Sequence, residues 1–150
     1  MSTRVSMNAA EFRKMLASRL AQAPKQPKKS KPRDLEHQLQ VRCVEWFFNE
    51  SPYHELPLFA VPNGGRRDAV TGAKMKAEGV VAGVADLILL HPSKSGKYHS
   101  LCIEMKTPQG RQSDTQKEWQ RKAEGSGNKY VVCRSFEQFQ QIIRSYLCSE

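Results

Sequence analysis

Ala85-Asp86-Leu87-Ile88-Leu89-Leu90 and Leu101-Cys102-Ile103-Glu104-Met105-Lys106 are the two runs on which the reading of this chain turns. Both are apolar enough for buried strands, yet each carries ionisable groups where a strand should bury methyls. The segment between them, His91-Pro92-Ser93-Lys94-Ser95-Gly96-Lys97, has the Pro, Gly and Ser content of a turn. An antiparallel hairpin is therefore expected. A turn symmetric about Ser95 sets Asp86 across from Glu104, with Cβ atoms roughly 5 Å apart. Lys106 shares that face because strand side chains repeat every second residue, and Leu101, Ile103 and Met105 face the other way, into a core. Two carboxylates this close repel unless a proton or a cation lies between them. Oxygen ligands beside an amine suit Mg²⁺, which commonly takes one or two carboxylates plus waters and phosphate oxygens. The competing reading places Glu104 and Lys106 on a solvated strand face, the usual setting of an isolated E-x-K. The pairing with Asp86 is what favours a site.

Outward from the hairpin, 150 residues suffice for one domain with a real core. No stretch is apolar enough to span a bilayer, and no apolar secretory segment is visible at the N-terminus. Cys43, Cys102, Cys133 and Cys148 are scattered, without a C-x-x-C pair, and the first three sit in apolar runs. They read as reduced residues of a cytosolic protein, not as a zinc site or disulfide frame. The net charge of +9 is unevenly spread: residues 1–33 carry nine Lys/Arg against the single acid Glu11, whereas residues 34–150 carry fifteen against fourteen. A basic arm of this kind suits a polyanion, through phosphate neutralisation and counterion release. A solubilising tail is the alternative. An anionic membrane is less well supported, since no aromatic anchors accompany the lysines.

In the arm, Phe12, Leu16 and Leu20 predict a short helix over Asn8 to Gln22, followed by a Pro/Lys-rich linker from Ala23 to Pro32. The folded domain is expected from about residue 34. Asp34 is a candidate N-cap for a helix whose stripe is Leu35, Leu39, Cys43, Trp46 and Phe47. Glu36 and Gln40 flank that stripe. Periodicity alone leaves them exposed, although a carboxylate at the edge of a buried stripe can reach into a site. Leu58-Phe59-Ala60-Val61 reads as a strand closed by Pro62-Asn63-Gly64-Gly65, then Arg66 and Arg67. Asn-Gly-Gly lets a backbone approach a ligand closely, and two arginines beside it suit phosphate contact. An ordinary turn with solvated arginines is equally compatible. A helix from Ala69 to Glu78 carries Lys74 and stops at Gly79. Beyond Lys106, Thr107 to Arg111 break the strand. Ser113 can cap the next helix with Gln116 in the capping-box position, where Gln116 either only caps or also faces the site. Tyr130-Val131-Val132-Cys133 is a third central strand, and Ser135 caps a last helix with apolar Phe136, Phe139, Ile142, Ile143 and Tyr146. The order α-β-α-β-β-α-β-α makes an α/β sandwich on a mixed sheet.

Glu36, Asn63-Gly64-Gly65-Arg66-Arg67, Gly83-Val84-Ala85-Asp86 and Glu104-Met105-Lys106, in that order, resemble the VRR-NUC family of the PD-(D/E)XK nuclease superfamily. The resemblance covers roughly Asp34 to Leu147 and leaves the basic arm outside it. It implies a restriction-endonuclease-like three-layer sandwich, a mixed central sheet flanked by helices. The family's D…E-x-K core falls on Asp86, Glu104 and Lys106, its first-helix acid on Glu36 and its helical glutamine on Gln116. Ala85 stands where many members have Pro. The resemblance implies Mg²⁺ or Mn²⁺ held by Asp86, Glu104 and the Met105 carbonyl, with Glu36 as a further or water-mediated ligand. Lys106 would polarise the attacking water, and Gln116 would help orient this group. Asn63, Gly64, Gly65, Arg66, Arg67, Lys74 and Arg111 would hold the DNA backbone. Stand-alone members of this size look like phage or prophage enzymes, and some resemble Holliday-junction resolvases. The expected partner is therefore branched DNA, cut by a homodimer in the cytoplasm of a bacterium or phage-infected host; the alternatives are a flap or nicking nuclease, or a non-catalytic DNA-binding module of the same fold. Nothing in the sequence identifies the dimer surface; exposed apolar residues on the last helix are only a guess at it.

Overall fold

The computed structural model describes residues 32–62 and 69–148. The basic arm with its expected helix over Asn8–Gln22, and the Asn63–Arg67 turn, lie outside the described residues. No helix among the described residues is long and apolar enough to cross a membrane.

The hairpin organises the sheet. Strand β2 (Leu87–Leu89) pairs antiparallel with β3 (Leu101–Met105), Leu87 opposite Ile103 and Leu89 opposite Leu101. Carried one residue further, that register sets Asp86 opposite Glu104, as a turn centred on Ser95 requires. Strand β1 (Leu58–Ala60) adds antiparallel to β2, and β4 (Lys129–Cys133) adds parallel to β3, giving the mixed order β1-β2-β3-β4. Tyr130–Cys133 was expected as a central strand. It is instead an edge, because among the described residues no strand pairs with its far side, and β2 and β3 hold the centre.

Among the described residues, four helices flank the sheet: α1 (Pro32–Asn49), α2 (Ala69–Ala77), α3 (Asp114–Gly125) and α4 (Phe136–Cys148). All of these elements fall in one compact unit, Lys31–Glu150. The main core lies between the sheet and the pair α1 and α4. Cys43, Trp46 and Phe47 of α1 and Phe139, Ile143 and Tyr146 of α4 meet Leu87, Leu89, Leu101, Ile103 and Met105. Trp46 meets Phe139 edge-on, ring centroids 6.1 Å apart. The opposite face carries a smaller cluster, Ala85, Cys102, Ala123 and Tyr130, roofed by Trp119 of α3. Because helices cover both faces, β3 is buried at every position. Burial pushes the Cys43 thiol up to about 12 and Cys133 up to about 11, so these cysteines pack as small apolar groups.

Three local expectations change. Helix α1 begins at Pro32, so Asp34 lies in its first turn instead of capping it, where its charge complements the helix dipole. Leu35 is 44 % exposed and the buried stripe starts only at Leu39, because the first turn projects past the sheet's main core. Helix α4 turns its large apolar residues inward. The exposed large apolar side chains among the described residues lie elsewhere, on α1, at Phe59 and Leu90, and around Val70, Val80 and Val81. The apolar residues expected to be exposed on the last helix are therefore buried or half-buried.

Gly83 shows how the segment before Asp86 is seated. Its φ is +81°, and a Cβ there would overlap the carbonyl oxygen of Thr115. Only glycine fits this close approach, which locks the entry to Asp86 against the first turn of α3.

Candidate active site

Asp86, Glu104 and Lys106 share the sheet face roofed by α3. Glu104 is fully buried and Lys106 nearly so, which rules out the solvated-strand reading. Such a carboxylate persists in the interior only when its oxygens are satisfied. Oε1 of Glu104 accepts from Lys106 Nζ at 2.6 Å and from Gln116 Nε2, and Oε2 accepts from the Tyr130 hydroxyl at 3.2 Å. A carboxylate offers about four lone-pair positions, so about one remains for another partner.

Asp86 Oδ2 accepts from the backbone N–H of Met105 at 2.8 Å, which ties the end of β2 to the Glu-Met-Lys segment. Burial raises the Asp86 pKa most. The Met105 N–H and Lys106 oppose that shift, and the Glu36 charge adds to it. Glu104 is pushed up to about 7, first by burial and then by the Asp86 charge, against the pull of Lys106 and Tyr130. The Tyr130 hydroxyl is itself raised by burial and by Glu104.

Helix α3 opens on a capping box. The Ser113 hydroxyl accepts from the Gln116 N–H at 3.2 Å, and Gln116 Oε1 accepts from the Ser113 N–H at 2.8 Å. With the oxygen of its amide committed to the cap, Gln116 turns Nε2 toward Glu104. It caps and faces the site at once. Glu36 arrives from α1, where its Oε1 accepts from the Thr107 N–H at 3.2 Å.

The structure thus brings together Glu36, Asp86, Glu104, Met105, Lys106 and Gln116. Lys74 pairs with Glu78, just past the end of its helix, at 3.9 Å and lies outside this hydrogen-bond network; Arg111 is exposed in the segment between β3 and α3. Two participants were not singled out from the sequence. Tyr130 enters because the parallel register sets it beside Cys102, and Gln112 donates to the Tyr130 hydroxyl at 3.3 Å. Neither carries a motif of its own, since parallel pairing is not visible in local sequence.

The donor set fits a hard divalent cation. The two carboxylates and Glu36 crowd negative charge together, and an ion taking oxygen ligands would offset it. Among the described residues no group of three or more His, Cys, Asp or Glu side chains is set to cage a metal. An ion held by two carboxylates, a carbonyl and waters needs no such cage, and Mg²⁺ is usually bound with several waters.

A mixed sheet bearing acid, acid and lysine at its strand ends, with a glutamine from the flanking helix, defines a nuclease-type α/β fold. The VRR-NUC domain model matches residues 34–137. The chain belongs to the VRR-NUC family, whose domain implies a nuclease-type role in DNA processing. A solved structure described as a VRR_NUC domain protein is similar at 26 % identity, with a TM-score of 0.62 over 74 % of this chain and 86 % of that one. No curated protein matches the chain.

Proposed function

We propose that this protein is an Mg²⁺- or Mn²⁺-dependent endonuclease that hydrolyses DNA phosphodiester bonds. The observation that carries the reading is the buried Glu104 carboxylate, gripped by Lys106 and Gln116 and electrostatically coupled to Asp86. Burying such a group is costly, and a structural role alone would be met more cheaply by an apolar residue. Asp86, Glu104 and the Met105 carbonyl would hold the ion, with Glu36 as a further ligand directly or through water. When bound, the ion supplies Lewis acidity to the scissile phosphate and lowers the pKa of coordinated water.

The chain's own residues supply the rest. Lys106 Nζ, fixed by Glu104, polarises the attacking water and offsets charge developing on the phosphate. Gln116 keeps Glu104 oriented, with Tyr130 bracing its other oxygen. Arg66, Arg67, Lys74 and Arg111, with the Asn63-Gly64-Gly65 turn, would contact the phosphate backbone and contribute affinity without base readout. Residues 1–33 form a basic arm ahead of the nuclease domain, 34–150, and add salt-dependent DNA affinity. The family resemblance extends the proposal to four-way junctions cut by a C₂ homodimer, since paired nicks need two symmetric sites. A cytoplasmic setting agrees with buried cysteines that are all free.

The test is a cleavage panel of duplex, flap, splayed-arm and four-way-junction DNA with Mg²⁺ or Mn²⁺, run beside a solution-mass measurement. Glu104→Ala should abolish cleavage. Lys106→Met should slow it about 10²-fold while leaving DNA affinity within about threefold. Wild-type rates from the Glu104 variant would reject the assignment.

A further inference from the structure

The loop leaving β3 is held by a side chain that the proposed chemistry does not use. Arg134 stands just past the end of β4, and its Nη1 donates to the carbonyl oxygens of Thr107 at 2.7 Å, Pro108 at 3.3 Å and Gly110 at 2.7 Å. Its own N–H donates to Gln138 Oε1 of α4 at 2.7 Å, so the guanidinium is carried on an anchored backbone. One charged nitrogen that gathers three carbonyls imposes one curl on the loop. The same loop presents the Thr107 N–H to Glu36. Gly110 passes so close that a Cβ on it would lie 2.9 Å from Thr107 Oγ1 and 3.1 Å from Glu36 Oε1. The loop is therefore the seat into which the acid from α1 fits.

We propose that Arg134 is a positioning residue for Glu36: by clamping the Thr107–Gly110 loop it holds the first-helix acid against the Asp86–Glu104–Lys106 cluster. The placement itself stands on the hydrogen bonds; what Glu36 does once placed rests on the nuclease reading above. Every loop contact is made by Nη1, so the guanidinium is tied to the loop through that one nitrogen.

The first measurement needs no activity. Amide hydrogen exchange is followed in the full-length wild type, Arg134→Ala, Arg134→Lys and Glu36→Gln. The Thr107 amide should exchange about tenfold faster or more in Arg134→Ala and by less in Glu36→Gln, which keeps an Oε1 acceptor, with Ile103 and Val131 in the sheet unchanged. Arg134→Lys keeps the charge, carries the test if the alanine variant does not fold, and should fall between wild type and Arg134→Ala. The second measurement is a cleavage cycle. If Arg134 works through Glu36, the Arg134→Ala/Glu36→Gln double variant is no slower than the slower single one. Thr107 exchange unchanged by both Arg134 substitutions, or losses that multiply in the double variant, overturns the proposal. So does full cleavage by Arg134→Lys beside weakened DNA binding by Arg134→Ala, the pattern of a phosphate contact. A wild type that cuts no DNA sinks the nuclease reading, while the exchange data still decide the placement of Glu36.

Discussion

On the face that meets α1 and α4, β3 contributes Leu101, Ile103 and Met105; on the face that meets α3 it contributes Cys102 and Glu104, with Lys106 just beyond. The first face is filled by aromatic and branched side chains that interdigitate with two helices. The second is lined by Ala85, Cys102 and Ala123, and Gly83 lets α3 approach still closer. Small residues there exclude water without filling the space that Glu104, Lys106, Tyr130 and Gln116 need. The difference is one of purpose. Apolar burial on the first face supplies stability, at roughly 25 cal/mol per Å² of apolar area. The second gives some of it up to desolvate a carboxylate, and desolvation is what makes the electrostatics of a site strong.

That division makes the largest prediction a paired one. Asp86→Ala should reduce DNA cleavage on the order of 10³-fold while the melting temperature moves by only a few degrees. Phe139→Ala, on the other face, should cost about 3–5 kcal/mol of stability by leaving a cavity, yet leave the cleavage rate per folded molecule intact. Chemical denaturation and single-turnover cleavage of both variants check this. A Phe139 variant that stays fully folded yet loses cleavage would collapse the distinction between the faces.

A smaller effect appears in pH. Glu104 sits at about 7 in the folded protein against an ordinary value of 4.5. Folding therefore favours its protonated form. Metal-free stability from this group is fully present below about pH 4.5, declines as the unfolded chain ionises, and is lost once pH passes about 7. Asp86 shifts in the same direction and adds to the slope. Melting curves in chelator should show this decline, and added Mg²⁺ should flatten it by binding the ionised form. A chelated protein whose stability rises across that window would contradict the buried, proton-hungry site.

The smallest prediction concerns the cap that joins helix to site. Ser113→Ala removes the acceptor for the Gln116 N–H and should cost about 1 kcal/mol, with cleavage falling less than about threefold because Gln116 Oε1 can still accept from the backbone N–H at position 113. Denaturant titration and initial rates measure both. A much larger loss of cleavage would mean that Gln116 depends on the cap for its contact with Glu104.

Much of the fold was legible because its signals are local. The hairpin register followed from turn composition and strand period, and it holds to the residue. The capping box at Ser113 and Gln116, the stop at Gly79 and the Ser135 cap are likewise short-range chemistry. The expectations that changed are those that depend on what lies across space. Leu35 fits its stripe by period but overshoots the core, β4 reads as a central strand although only β3 pairs with it among the described residues, and the apolar residues of α4 face inward. Of the residues in this hydrogen-bonded cluster and its loop, Asp86, Glu104, Lys106, Gln116 and Glu36 are singled out by pattern and resemblance, whereas Tyr130, Gln112 and Arg134 have no local mark.

From the residues in order one can read which side chains alternate onto which face of a strand and where each helix starts and stops. Those follow from bonds that span only a few positions. The order of strands, the parallel seating of β4 and the meeting of Glu36 with Thr107 are set by packing between elements far apart in the chain. No local periodicity encodes such contacts, because they exist only once water has been squeezed from both faces of β3.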